Sequence, residues 1–281
     1  MHGRRLSLAI LALAAVSGAC APGAASRGSG NIEHPTGASL VLRVQTGGGF
    51  IAPQSTLGQI PEFSMFGDGR IITPGAQPAI YPGPALPNLL VEQVNEDGIQ
   101  AILEAARRAG LMGPNATYHA PCISDQATTT FTLVADGQTH VVSAYALGDS
   151  SCDGADTQAR AALAAFRARL SDLASWLPPG SIGEQSAFQP TGMRVYVRPL
   201  APPADPNLEQ PPIDWPLPQP LATFGTPDPT LPDLRCGVVQ GTDLAALLTD
   251  ADRANQLTPW RSEGREYTLI FRPLLPDERG C

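Results

Sequence analysis

Between Pro199 and Arg235 the chain places 12 prolines in 37 residues, and this run limits the fold more than any other feature. Proline has no amide hydrogen to donate and its ring fixes φ, so the stretch is barred from helix and is poor material for sheet. It is expected to run as an extended excursion of polyproline II character. Regular structure must come from the segments on either side of it.

Upstream, residues 38–177 read as one α+β block. Leu40–Val44 is β-rich and ends in the Thr46–Gly49 turn. Phe63–Phe66 and Arg70–Ile72 flank Gly67-Asp68-Gly69, and Thr128–Val134 and Thr139–Leu147 flank Asp136-Gly137. An Asp-Gly step supplies the positive φ that tight hairpin turns require. Leu89–Val94 is a further short strand. The period then becomes helical: Ile99, Ile102, Leu103 and Ala106 fall at i, i+3, i+4, i+7, with Asn95 as N-cap and Gly110 near the stop. Leu163, Phe166, Leu170, Leu173 and Leu177 mark a second helix, stopped by Pro178-Pro179. The expected order is β-β-β-α-β-β-α, with the short Leu89–Val94 strand additional to the first three, as an antiparallel sheet with helices on one face.

Residues 178–192 are expected as a linker, and 193–281 as a second, smaller block. Met193–Arg198 alternates as a strand, Leu234–Val239 is strand-like, and Thr242 is expected to cap a helix bearing Leu244, Leu247, Leu248 and Ala251. Tyr267–Phe271 is the last strand. This second block reads β-α-β around the proline excursion, so the fold class is α+β with two antiparallel sheet-plus-helix blocks. At a shift of 145 positions, Val94, Ile99, Leu103 and Ala106 echo Val239, Leu244, Leu248 and Ala251; duplication and chance matching of two amphipathic helices both account for this.

The N-terminus carries an address. Arg4 and Arg5 precede an apolar core, Leu6–Val16, followed by Ser17-Gly18-Ala19-Cys20. That is the layout of an export signal, and a core of about 11 residues is too short to span a bilayer. The cysteine after small residues resembles the bacterial lipoprotein cleavage motif, in which it becomes the lipid-bearing first residue. Residues 1–19 are therefore expected as a signal peptide and 20–37 as a lipidated flexible tether, with lipidation at Cys20. The other four cysteines, Cys122, Cys152, Cys236 and Cys281, form an even set suited to an oxidising compartment. Of three possible pairings, Cys122–Cys152 and Cys236–Cys281 keep each bridge inside one block. The chain contains no lysine and has a net charge of −8. This excludes clustered cations of the kind that hold nucleic acid or anionic lipid by charge.

Chemistry-bearing motifs are sparse. There is no G-x-S-x-G, and Gly47–Gly49 lacks the Lys-Ser/Thr that follows in a phosphate loop. His119 and His140 have no ligand spacing that outweighs a disulfide role for Cys122, so no metal site and no cofactor are expected. Asp149, Asp153 and Asp156 share a Gly-containing loop but fit no EF-hand spacing and read as a solvated disulfide loop. Asp68, Asp136 and Glu263 are turn residues. Arg107 and Arg108 sit at a helix end, where cations favour the macrodipole. Trp176 is expected in the core. Trp215 is expected to pin the proline excursion to the domain, with an exposed recognition role as the competing reading.

Val41–Leu177 resembles a bacterial envelope domain of unknown function. The features are a strand ending in a Thr-Gly turn (Val44–Gly49), the hairpin F-S-x-F-G-D-G-R (Phe63–Arg70), the helix Glu96–Leu111, the S-D-Q-A-T-T-T-F entry to a strand (Ser124–Phe131), and a helix ending in Trp176. The runs Ala254–Trp260 and Arg272–Glu278 are similar to uncharacterised actinobacterial lipoproteins. The resemblance implies an envelope location and brings no activity. The expected function is thus a non-enzymatic binding or scaffolding module, anchored by lipid on the outer face of the cytoplasmic membrane. Its partner would be an envelope protein, peptide or glycan. The alternatives are an envelope hydrolase with a site assembled from separate loops, and an auxiliary subunit of a transport or secretion complex.

Overall fold

A computed structural model describes residues 30–151, 156–201 and 205–281. Ile32–Cys281 forms one compact unit. Its first half supplies β1 (Leu40–Gly47), β2 (Phe63–Phe66), β3 (Arg70–Pro74), β4 (Leu89–Gln93), α1 (Glu96–Arg108), β5 (Ala116–Tyr118), β6 (Thr128–Ala135), β7 (Gln138–Tyr145), α2 (Thr157–Leu170) and β8 (Ser186–Ala187). The second half supplies β9 (Gly192–Pro199), β10 (Ile213–Asp214), β11 (Thr226–Pro227), β12 (Arg235–Gln240), α3 (Thr242–Ala251), β13 (Trp260–Ser262) and β14 (Arg265–Pro273). The fold is α+β, with an eight-stranded sheet ordered β5-β7-β6-β1-β2-β3-β4-β8 and a six-stranded sheet ordered β10-β13-β14-β9-β12-β11. Pairing is antiparallel except for one short parallel pair at an edge of each sheet, β5 on β7 and β10 on β13.

Local chemistry accounts for the main elements. Asn95 accepts a hydrogen bond from the Gly98 amide, Glu96 and Asp97 occupy the first turn of α1, and Arg107 and Arg108 the last. Gly110 then leaves the helical region at φ 87°. β6 alternates half-buried and buried residues along its whole length, as a strand with one face on a core must. On that face Phe131 meets Phe166 of α2 with ring centroids 6.3 Å apart. α1 and α2 cover this side of the first sheet through Ile99, Ile102, Leu103, Leu163 and Phe166. α3 covers one side of the second sheet, where Val195, Val197, Trp260 and Phe271 are buried. Thr242 is the first residue of α3 rather than its cap; the cap position belongs to Gly241, whose φ of 63° suits glycine.

Two expected boundaries move. The tether was expected to reach Gly37, but Ile32 is buried and exchanges hydrogen bonds with the Gln100 side chain. Glu33 and Asp136 bond reciprocally beside it, the His34 ring meets the Glu96 carboxylate at 3.2 Å, and Gly37 accepts from the Asp68 amide, so 32–37 is held on the body. Residues 178–192 were expected as a linker, yet β8 pairs with β4 and Ser181 accepts the Asn95 amide at its carbonyl. A two-residue strand is too short to show alternation in sequence. The β3–β4 loop also reaches the second half, where Ala85 donates to Ala254 and Gln256 donates to Gly83 through the backbone.

The proline excursion lies on the second sheet instead of extending away from it. β10 adds as an outer strand, and Trp215 is buried edge-on against Phe224 at 5.5 Å and Trp260 at 6.2 Å. Its indole Nε1 donates to the Gln219 carbonyl at 2.9 Å. The pinning role of Trp215 is therefore the observed one. Trp176, expected in the core, is half-buried: its ring lies under the Arg169 guanidinium at 4.0 Å. The sequence echo does not extend to position in the fold. β4 lies three strands from β1 at the centre of its sheet, whereas β12 pairs directly with central β9.

Candidate binding sites

The disulfide Cys236–Cys281 is formed, with an S–S distance of 2.09 Å. Cys20, the expected lipid acceptor, and the Cys152 half of the pair Cys122–Cys152 lie outside the described residues. Asp153 of the acidic loop does too. Asp149 accepts the Ser151 amide at 2.8 Å, and its hydrogen bonds from Ser151 lower its pKa; this carboxylate is used by its own turn. His119 is exposed, and the His140 ring nitrogen Nδ1 lies 2.9 Å from the Gly113 carbonyl. Among the described residues no three His, Cys, Asp or Glu side chains gather as a metal ion would require. No helix among the described residues is long and apolar enough to cross a membrane.

Two clefts bring ionisable groups together. The first, about 430 Å³, opens between β2–β4 and the C-terminal end of α2. Its apolar walls include Phe63, Leu90, Leu170 and Leu173. Arg167 on α2 makes a two-point pair with Glu62, Nε to Oε2 at 2.7 Å and Nη2 to Oε1 at 2.8 Å. Glu92 on β4 lines the same cleft, and its carboxylate makes no hydrogen bond among the described residues; burial pushes its pKa up. β-register explains its position. Glu92 is opposite Ile71, whose side chain lies on the helix-covered face, so the alternation of β4 puts a carboxyl where its neighbours are apolar.

The second cleft, about 640 Å³, lies on the face of the second sheet turned away from α3. Along β9, Val195 and Val197 face the core and Arg194 and Arg198 therefore face the other way. Arg198 is directly opposite Thr268 on β14, and Arg261 on β13 is opposite Glu266. Leu208–Pro212 of the proline excursion forms one wall, fixed by a 2.7 Å hydrogen bond from Asn255 Nδ2 to Gln210 Oε1. Arg261 is shared between Glu266 at 3.3 Å and Asp214 at 3.6 Å. Among the described residues Arg198 pairs with no carboxylate, and its Nε is buried without a hydrogen-bond partner. An orphaned donor of that kind costs about 1–3 kcal/mol.

No family model matches the chain, and no match was found among curated proteins or solved structures.

Sequence reasoning passed over both clefts. Arg198 was visible only as the outward half of an alternating strand, which ordinarily means solvent. The signal that would have marked it is that the strand leads straight into prolines able to fold back over its outer face.

Proposed function

We propose that this chain is a lipid-anchored extracytoplasmic protein that acts as a non-enzymatic binding module of the bacterial cell envelope. The observation that carries the reading is the cleft beneath Leu208–Pro212, where the half-buried, always-charged guanidinium of Arg198 has no ion pair among the described residues and leaves its buried Nε without a partner. The export-type leader with Cys20 supports the location, and so does the Cys236–Cys281 bridge, since such bonds persist in oxidising compartments. The resemblance of Val41–Leu177 to an envelope domain points the same way. The membrane contact is assigned to the acyl chains on Cys20, because an acidic, lysine-free chain has little to offer anionic headgroups.

Cross-linking in intact envelope, followed by purification of the chain, is expected to recover a protein, peptide or glycan in repeated trials. Repeated recovery of nothing would end the binding reading. Cys20→Ala should leave the folded body unchanged and release it from the membrane fraction; if the variant still sediments with membranes, the anchor is misassigned.

A second reading, an envelope hydrolase, draws on one observation: Glu92, whose pKa is raised by burial, shares a cleft with the Glu62–Arg167 pair. It requires that the purified chain hydrolyse some ester, amide or glycoside and that Glu92→Gln abolish the turnover.

A further inference from the structure

We infer that the cleft under the proline excursion takes a carboxylate carried on an apolar body, with Arg198 as the group that holds the anion. This rests on the reading of the chain as a binding module and names what that module recognises.

Among the described residues, the outward face of the second sheet carries four arginines along β9, β13 and β14, of which Arg198 and Arg261 line the cleft. Arg261 already has two acidic partners, Glu266 and Asp214. Arg272, also on the outward face of β14, is closed off by Glu278 and by the Gln59 carbonyl, and Arg194 donates to the Gly280 carbonyl. Arg198 differs from these three. It ends the outward row of β9, lines the cleft, and has no hydrogen bond or ion pair among the described residues. A guanidinium does not shed its proton to escape a poor environment, so Arg198 stays charged in the cleft and is available to pair with an incoming anion.

The remaining wall chemistry narrows the ligand. Thr268, across the strand pair from Arg198, offers a hydroxyl that can donate to a second oxygen of the same anion. Leu200, Leu208, Leu257, Pro211 and Pro259 supply an apolar part of the lining beside these polar groups. Glu209 and Glu266 on the rim disfavour a multiply charged anion such as a phosphate monoester. One negative charge, two oxygens and an aliphatic body fit this arrangement. A free aliphatic acid and the C-terminal carboxylate of a chain ending in an apolar residue both present that chemistry.

Titration calorimetry on the purified full-length chain tests the inference with matched probes. Hexanoate should bind, and hexanol and hexylammonium should bind at least about tenfold more weakly, since they lose the charge-assisted pair. N-acetyl-leucine against N-acetyl-leucinamide makes the same comparison for a chain terminus, and the stronger of the two acids identifies the source. Arg198→Met should abolish acid binding while raising the melting temperature, because it removes an unpaired charge and keeps the aliphatic stem. A merely structural arginine would show the opposite, a lower melting temperature. Equal binding of acid, alcohol and amine, undiminished binding by Arg198→Met, or no binding of either acid would overturn the inference. Recovery of a cross-linked envelope partner whose capture is indifferent to Arg198→Met would leave the binding module standing and remove only the carboxylate.

Discussion

Arg43 on β1 and Asp277 near the C-terminus meet at 2.8 Å across 234 positions of chain. Around this contact the tail Leu274–Cys281 acts as a clasp between the two sheets. Leu275 packs with Phe66 and Ile72 on the face of the first sheet away from its helices, and Cys281 is bonded to Cys236 on β12 of the second. Arg272 pairs with Glu278 at two points and donates to the Gln59 carbonyl. Apolar burial, a covalent bond and ion pairs thus converge on eight residues.

The clasp is open to test by breaking its covalent end. Closing a loop of 45 residues stabilises by about 3–4 kcal/mol on the chain-entropy model. Cys281→Ala is expected to lose about that much in denaturant unfolding. Hydrogen exchange should speed up first in the tail and in β2–β3 beneath Leu275. A uniform rise in exchange across both sheets, with no early loss at the tail, would contradict the clasp.

Glu278 adds a pH dependence. Burial alone raises its pKa, but the hydrogen bonds from Arg272 and the Leu275 amide, with the charges of Arg272 and Arg43, outweigh it and hold the pKa below the usual value. A carboxyl with a depressed folded pKa contributes stability that is present above the unfolded pKa and lost as pH falls through the folded one. Glu278→Gln should therefore cost about 3 kcal/mol at neutral pH, where it strands the largely buried Arg272. The cost should shrink below about pH 4. A penalty independent of pH would mean that shape, not charge, holds the tail.

Glu92 has the opposite sign. Its pKa is raised by burial with no partner to offset it, so the stability linked to its proton is present below the unfolded pKa and lost as pH rises through the folded one. Glu92→Gln is expected to stabilise slightly at neutral pH, the gain being limited because the group is partly open to solvent, and to have no effect below about pH 4. Thermal melts of both proteins across that range measure the difference. A destabilised variant at neutral pH would show that the carboxylate has a partner when ionised.

How legible these features were depended on how local their causes are. α1 could be read in full, because its cap, its apolar spacing and its terminal charges all lie within Asn95–Gly110. The Asp136-Gly137 turn between β6 and β7 was equally plain, with φ of 49° and 71°. β5 and β8 were not, since three and two residues hold no period. The clasp was invisible for a different reason: nothing near Arg43 points to a carboxylate 234 positions away. Arg198 falls between these cases. Strand alternation placed it correctly on the outward face, but whether that face is wet or roofed depends on where the prolines go, and their rings fix local φ without fixing direction.

What directs the prolines is Trp215, and this gives the last prediction. Its indole packs edge-on against Phe224, also of the excursion, and against Trp260 of the sheet, and its Nε1 donates to the Gln219 carbonyl within the excursion itself. Trp215→Ala removes a buried aromatic, a change that ordinarily costs about 3–5 kcal/mol. The loss should fall on the Trp215 end of the excursion, since Asn255 still holds Gln210 at the other. Limited proteolysis is expected to cut first near Leu217–Phe224, with α1 and the first sheet protected. Trp215→Phe should recover much of the protection, because a ring can still sit edge-on to Trp260 without the indole hydrogen bond. Cleavage that begins in the first sheet would mean that Trp215 supports the whole unit and not the excursion alone.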